Sequence, residues 1–191
     1  MTNMEITRRK FIVTTAAAGG GMMLGFYLPT ANAARINSNP WESPTSKDGQ
    51  EINAWLAINP DGTITVRVAQ SEMGEGVFTS LPMIVSEELH SDWNMIRAEF
   101  ADANRHVRND NVYQRMSTGG SGAVRRSRVY LQQAGASARE RLKEAAAQAW
   151  GVDRSQVTAK DSVLSSGNNS GTYAEFATAA ANLPTWTEEN Q

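Results

Sequence analysis

The chain has 191 residues, the length of one domain, or of part of a domain behind a targeting segment. Its 18 basic and 20 acidic residues leave a formal charge of −2 and a pI of about 5.7, which gives no sign of a nucleic-acid surface. There is no cysteine, which excludes disulfides, thiolate metal sites, a cysteine nucleophile and an N-terminal lipid-modified cysteine.

The first ten residues are polar and end in Arg8, Arg9 and Lys10. An uncharged run rich in Ala, Gly and Met follows from Phe11 to Leu28. The arginine pair just before an apolar run resembles a twin-arginine export signal. Pro29 and the small-x-small string Ala31-Asn32-Ala33 then predict cleavage after Ala33. A retained membrane anchor is the competing reading. Gly19, Gly20, Gly21 and Gly25 make the run only mildly apolar, whereas a span needs about 20 strongly apolar residues. The expected organisation is a signal over residues 1–33, a polar linker over 34–50, a domain over 51–184 and a tail over 185–191.

Past the linker, Ala54-Trp55-Leu56-Ala57-Ile58 predicts a strand and Asn59-Pro60-Asp61-Gly62 a turn. Residues 63–68 alternate β-branched side chains as a second strand. The loop Glu72-Met73-Gly74-Glu75-Gly76 leads into a helix marked by Leu81, Ile84, Val85 and Leu89, with Pro82 tolerated if it lies near the first turn. Ile96 to Phe100 predicts a further strand, which completes a βαβ arrangement. Residues 102–118, with Arg105, His106, Arg108 and Arg115, are expected as loop. Ser117-Thr118-Gly119-Gly120-Ser121-Gly122 opens the longest helix, reaching Trp150, with a buried stripe of Leu131, Ala134, Ala138, Leu142, Ala145 and Ala149 and a stop at Gly151. A second hairpin around Gly167-Asn168-Asn169 and a helix from Tyr173 to Leu183 complete an α+β chain.

Two glycine loops, each feeding a helix, are where chemistry is expected. A helix N-terminus presents unpaired N–H groups and the positive end of the dipole, and so favours anions. Arg125, Arg126 and Arg128 follow the second loop, where the dipole alone would favour carboxylates. An anionic ligand would compensate; an ordinary N-cap by Ser121 beneath a solvated basic face is the alternative. Neither loop continues into the Gly-Lys-Ser/Thr of a phosphate loop. Glu87 and Glu88 are expected to be solvated, and His90 and His106 stand without partners at metal-ligand spacing.

The order Ala69-Gln70-Ser71-Glu72-Met73-Gly74-Glu75-Gly76-Val77, Leu81-Pro82-Met83, Glu87-Glu88-Leu89, Asp92-Trp93, Thr118-Gly119-Gly120-Ser121, Ala134-Gly135-Ala136, Ala138-Arg139 and Trp150-Gly151-Val152 resembles one family. It is that of the molybdopterin-binding large (β) subunits of the xanthine oxidase/aldehyde oxidoreductase class, in the isoquinoline 1-oxidoreductase branch. The resemblance covers residues 50–184.

The resemblance implies a βαβ-containing piece of a molybdenum-cofactor-binding domain with one long helix, from the N-terminal part of a longer exported subunit. The implied cofactor is molybdopterin with molybdenum, usually the cytosine dinucleotide form. The pterin dithiolene holds the metal, so no protein thiolate is needed. Gly74, Glu75 and Gly76 would touch the cofactor, and Thr118, Gly119, Gly120 and Ser121 would hold its phosphate end. The implied partners are an iron–sulfur small subunit, the remainder of the large subunit and a membrane cytochrome acceptor.

Two departures stand out. The family has glutamine at Glu75; an ionised glutamate only accepts hydrogen bonds, so Glu75 must be protonated or turned away. The family's catalytic glutamate in Gly-Val-Gly-Glu and its Phe-Gly loop do not occur in this sequence, so no catalytic residue is assigned and the isolated chain is expected to be inactive. The expected function is part of a periplasmic oxidoreductase that hydroxylates N-heteroaromatics or oxidises aldehydes with water as oxygen source. The alternative is a degenerate exported domain that binds a small anion or a partner protein.

Overall fold

The computed structural model describes residues 49–184, all within the second of two compact units, Ser43–Gln191. The expected signal with its expected cleavage site, the expected linker up to residue 48 and the expected tail lie outside the described residues. The linker assignment ends too late: Gln50 already belongs to strand β1, Gln50–Asn53. That edge strand is polar enough to read as linker.

Four strands form the main sheet in the order β1, β2 (Leu56–Ile58), β3 (Ile64–Val68) and β4 (Ile96–Phe100). The β2–β3 hairpin turns on Asn59, which accepts from Gly62 N, while the Asp61 carboxylate receives the Thr63 N–H and hydroxyl. Strand β3 then pairs in parallel with β4 from Ile64↔Ile96 to Val68↔Phe100, with helix α1, Val77–Leu89, as the crossover. This is the expected βαβ unit within an α+β fold.

Pro82 stands in the second turn of α1, one turn deeper than expected, and leaves the Phe78 carbonyl without its helical donor. Burial of the Pro82 ring beside Leu81 and Val85 offsets that loss. Residues 102–118 are not all loop: Asp102 caps a short helix α2, Ala103–Arg108, by accepting from Asn104 N. Polarity alone hid the capping signal.

The long helix α3 spans Ala123–Trp150 and ends at a left-handed Gly151. It packs on α1 with almost no space between backbones at Gly135, where a Cβ would lie 2.5 Å from the Val85 carbonyl oxygen. Leu131, Ala134, Ala138, Leu142 and Ala145 are buried as expected; Ala149 is exposed, and Ala146 and Ala147 are buried instead. The final helix α4, Tyr173–Ala181, shifts the covered face. Its Phe176 ring meets Trp150 edge-on at 5.2 Å, and Arg141 of α3 donates to the carbonyl of Ala181. Helix α4 opens on a Thr172/Glu175 capping box and stops two residues before the expected Leu183.

The single hairpin expected before α4 is a three-stranded meander, β5 (Thr158–Lys160), β6 (Val163–Ser166) and β7 (Asn169–Thr172). Asp161 and Ser162, both at positive φ, form the extra reversal that the sequence reading passed over. Ser162 anchors the meander on the end of α1, donating from its N–H to the His90 carbonyl and accepting from Asp92 N. Among the described residues, no helix is long and apolar enough to cross a membrane.

Candidate functional site

The first glycine loop leaves β3 and enters α1 at Gly76, whose left-handed φ of 81° suits a residue without a Cβ. Four amides of the loop and the helix start are met by the loop's own carboxylates. One Glu72 carboxylate oxygen accepts from Gly74 N at 2.7 Å and Gly76 N at 3.0 Å; the other accepts from Phe78 N at 3.1 Å. Those backbone donors, Phe78 foremost, hold the Glu72 carboxyl below its ordinary range. Glu75 folds back in the same way and accepts from Met73 N at 2.8 Å. The residue that departs from the family pattern is therefore engaged with its own loop.

The second loop enters α3 at Gly122 and has no side-chain cap. Ser121, expected as the capping residue in one of the two readings, lies at φ 49° and does not cap: the chain turns through left-handed Gly120 and Ser121 first. Gly122 N reaches back to the Gly119 carbonyl and Arg126 N bonds Gly122, but the amides of Ala123, Val124 and Arg125 have no acceptor among the described residues. Arg126 bends over this helix start, its Nε 3.0 Å from where a Gly122 Cβ would be. Arg125, Arg126 and Arg128 are exposed and make no ion pair among the described residues. A cation held at the positive end of a helix is a standing demand for an anion.

The fold joins the loops. Ser71 N donates to the Thr118 hydroxyl at 2.8 Å, and Gln70 Nε2 donates to the Arg115 carbonyl at 2.7 Å. The loop of Gly74, Glu75 and Gly76 and the loop of Thr118, Gly119, Gly120 and Ser121 are thus joined at their roots. A Cβ built on Gly74, Gly76, Gly119 or Gly120 would meet nothing within 4 Å. Such open glycine faces beside uncapped amides fit a ligand with an anionic end at the α3 side. At the α1 side the amides are taken, and only glycine surface is on offer.

The segment before the second loop is anchored by a charge cluster absent from the sequence reading. Buried Arg67 pairs with Glu51 at 2.9 Å and Glu99 at 3.0 Å, and Arg105 of α2 makes a two-pronged contact with Glu51. Burial opposes ionisation of Glu51, yet Arg105 and Arg67 outweigh it and lower its pKa. Arg105 also lies over the buried Tyr113 ring, which meets Trp55 edge-on at 5.3 Å. One hint was available: Arg67 is the one charged residue of strand β3. Buried Arg141 was also missed; it donates to the carbonyls of Ile52, Ala181 and Leu183, and inside the Ala-rich stripe nothing marked it.

Glu87 is exposed as expected, but Glu88 is half-buried, accepting from Gln132 Nε2 while Arg139 donates to its backbone carbonyl. His90 contacts the Ala159 carbonyl and Arg139; His106 accepts from Tyr113 N. Among the described residues, no group of His, Cys, Asp and Glu is arranged to hold a metal ion.

The model of the family described as the molybdopterin cofactor-binding domain matches residues 11–190. The chain is 31% identical over 173 residues to a membrane-bound aldehyde dehydrogenase (pyrroloquinoline-quinone) of Gluconacetobacter polyoxogenes, covering 90% of this chain and 21% of that protein. It is 29% identical over 188 residues to the isoquinoline 1-oxidoreductase subunit beta of Brevundimonas diminuta, covering 94% and 22% respectively. The chain thus spans about a fifth of the length of these curated relatives. A crystal structure of quinoline 2-oxidoreductase from Pseudomonas putida 86 aligns with a TM-score of 0.49 at 19% identity, over 68% of this chain and 16% of that one. With a family model matched across almost the whole sequence, the chain belongs to the molybdopterin cofactor-binding domain family.

Proposed function

We propose that the chain forms the cofactor-holding part of a molybdenum hydroxylase, an oxidoreductase acting on N-heteroaromatics or aldehydes with water as oxygen source. The observation that supports this reading best is the Ser71–Thr118 hydrogen bond, which joins the roots of two glycine loops across 47 residues. Names of the relatives support it, one an aldehyde dehydrogenase and the other an isoquinoline oxidoreductase subunit.

In this reading the free amides at the start of α3, with Thr118, Gly119, Gly120, Ser121 and Arg126, would hold the phosphate end of molybdopterin in its cytosine dinucleotide form. Gly74 and Gly76 would offer bare backbone to the cofactor, while Glu75 stays turned onto Met73 N. When bound, the molybdenum supplies two-electron redox chemistry; the protein residues bind, orient and screen. An iron–sulfur small subunit and a membrane cytochrome would take the electrons, and the remainder of the large subunit would supply the catalytic base.

The test is composition of the purified full-length enzyme. Molybdenum and cytidine monophosphate released in equal amounts are expected; a quinone with no molybdenum, as the name of the Gluconacetobacter relative would have it, defeats the reading. The self-occupied first loop favours a second reading, a domain that holds only a small anion at α3. Nucleotide absent while inorganic phosphate is retained would select that one.

We also propose export by the twin-arginine route to the periplasmic face, on the strength of Arg8 and Arg9 before the apolar run. Arg8→Lys with Arg9→Lys should leave the precursor unprocessed inside the cell. Normal processing at Ala33 in the double variant would refute the route.

A further inference from the structure

Gln70 is 2% exposed, and only one of the two polar atoms of its side chain has a hydrogen-bond partner. Nε2 donates to the Arg115 carbonyl, but Oε1 is buried without a partner. An unpaired buried acceptor costs at least as much as one ordinary hydrogen bond returns. Stability therefore gives little reason for an amide here, and an unbranched apolar side chain would fill the space without that cost. What Gln70 does supply is a fixed distance. Its bond to Arg115 and the adjacent bond from Ser71 N to Thr118 run in parallel from consecutive residues of one loop to the root of the other. The chain is held on both sides. Val68 accepts from Ala101 N within the sheet edge, and buried Tyr113 is seated against Trp55.

We propose that Gln70 is a positioning residue, one half of a two-point tether that fixes the spacing of the two glycine loops so that a single ligand engages both. This rests on the reading that both loops serve one cofactor. Gln70 itself is shielded from any ligand and acts through Arg115 and the loop that follows.

The test uses Gln70→Met in the full-length enzyme. Three quantities are measured: the melting midpoint of the cofactor-free form, the rate at which molybdenum and nucleotide are released from the loaded enzyme on dilution, and hydrogen exchange at the amides of Ser71 and residues 117–122. The tether predicts release about tenfold faster, as losing one hydrogen bond would give, with an unchanged or higher melting midpoint and faster exchange at those amides. Release and exchange equal to wild type overturn it. A melting midpoint that falls together with cofactor retention marks Gln70 as a general stabiliser and overturns it equally. If the wild-type enzyme carries no molybdenum or nucleotide, the cofactor reading fails; the exchange rates then decide the tether alone, faster in Gln70→Met supporting it and equal rates sinking it.

Discussion

The two glycine loops begin alike and end in opposite electrostatic states. Each delivers the chain to a helix through a glycine N-cap, Gly76 for α1 and Gly122 for α3, and neither helix has an acidic residue in its first turn. Four residues before the cap stands Glu72 in one loop and Thr118 in the other. The Glu72 carboxylate reaches forward and takes three backbone amides of its own loop and helix. The Thr118 hydroxyl is used by Ser71 and leaves its helix uncapped. A carboxylate at that offset acts as a built-in anion; a hydroxyl committed elsewhere leaves the site for an external one. The positive end of a helix dipole is common to both, and one side chain decides whether it remains available.

Filling the open loop should have the largest effect. Gly120→Leu forces a side chain into a left-handed backbone, which strains the loop by about 1–2 kcal/mol, and sets that side chain in the open space where a ligand would lie. Molybdenum and nucleotide should be absent from the purified full-length variant. Retention at the wild-type level would mean that the second loop does not contact the cofactor.

Next in size is the spacing of the helices that carry the loops. Gly135→Ala places a Cβ 2.5 Å from the Val85 backbone oxygen, where no flexible side chain can move aside. Overpacking of this kind costs about 1–3 kcal/mol, readable as a lowered midpoint in chemical denaturation. An unchanged midpoint would show that α1 and α3 are not held in backbone contact.

A smaller effect is expected at Glu72 itself. Glu72→Gln keeps one acceptor oxygen but turns an NH2 toward the Phe78 amide, so exchange should quicken at Phe78 and the melting midpoint should fall slightly. Acid should act in the same direction. Because Glu72 has a lowered pKa, its stabilisation is complete above the ordinary carboxylate value of about 4.3 and is lost as pH falls through the folded value. Below about pH 4 the amides of Gly74, Gly76 and Phe78 should lose protection, while Ala123, Val124 and Arg125, which no carboxylate caps, should show no such step. Equal pH responses in the two loops would remove the contrast between them.

The smallest effect belongs to Glu75→Gln. The amide oxygen can still accept from Met73 N, so the melting midpoint should not move. One negative charge fewer within a Debye length of about 10 Å of an anionic ligand should raise cofactor content modestly. A fall in content would mean that the Glu75 carboxylate has a role its contact with Met73 does not explain.

The sequence by itself determined the scaffold, because periodicity reports burial directly. The apolar positions Ile64, Val66 and Val68, the stripe Leu81, Val85 and Leu89, and the long helix from Ala123 to Trp150 could all be read, although Thr65 and Arg67 between the strand positions are buried as well. So could the two glycine loops, because glycine before a helix has few other uses. What only the tertiary structure decided is which polar partner each loop chose. Ser71 finds Thr118 across 47 residues, Arg105 finds Glu51 across 54, and Glu72 turns to its own helix although an acidic loop gave no such direction. The polar strand Gln50–Asn53, the burial of Gln70 and the cap at Asp102 escaped for the same reason. A polar side chain carries no periodic mark of its partner: its choice depends on which groups desolvation and packing bring within 3 Å, and that is settled only when the sheet, α1 and α3 have closed on one another.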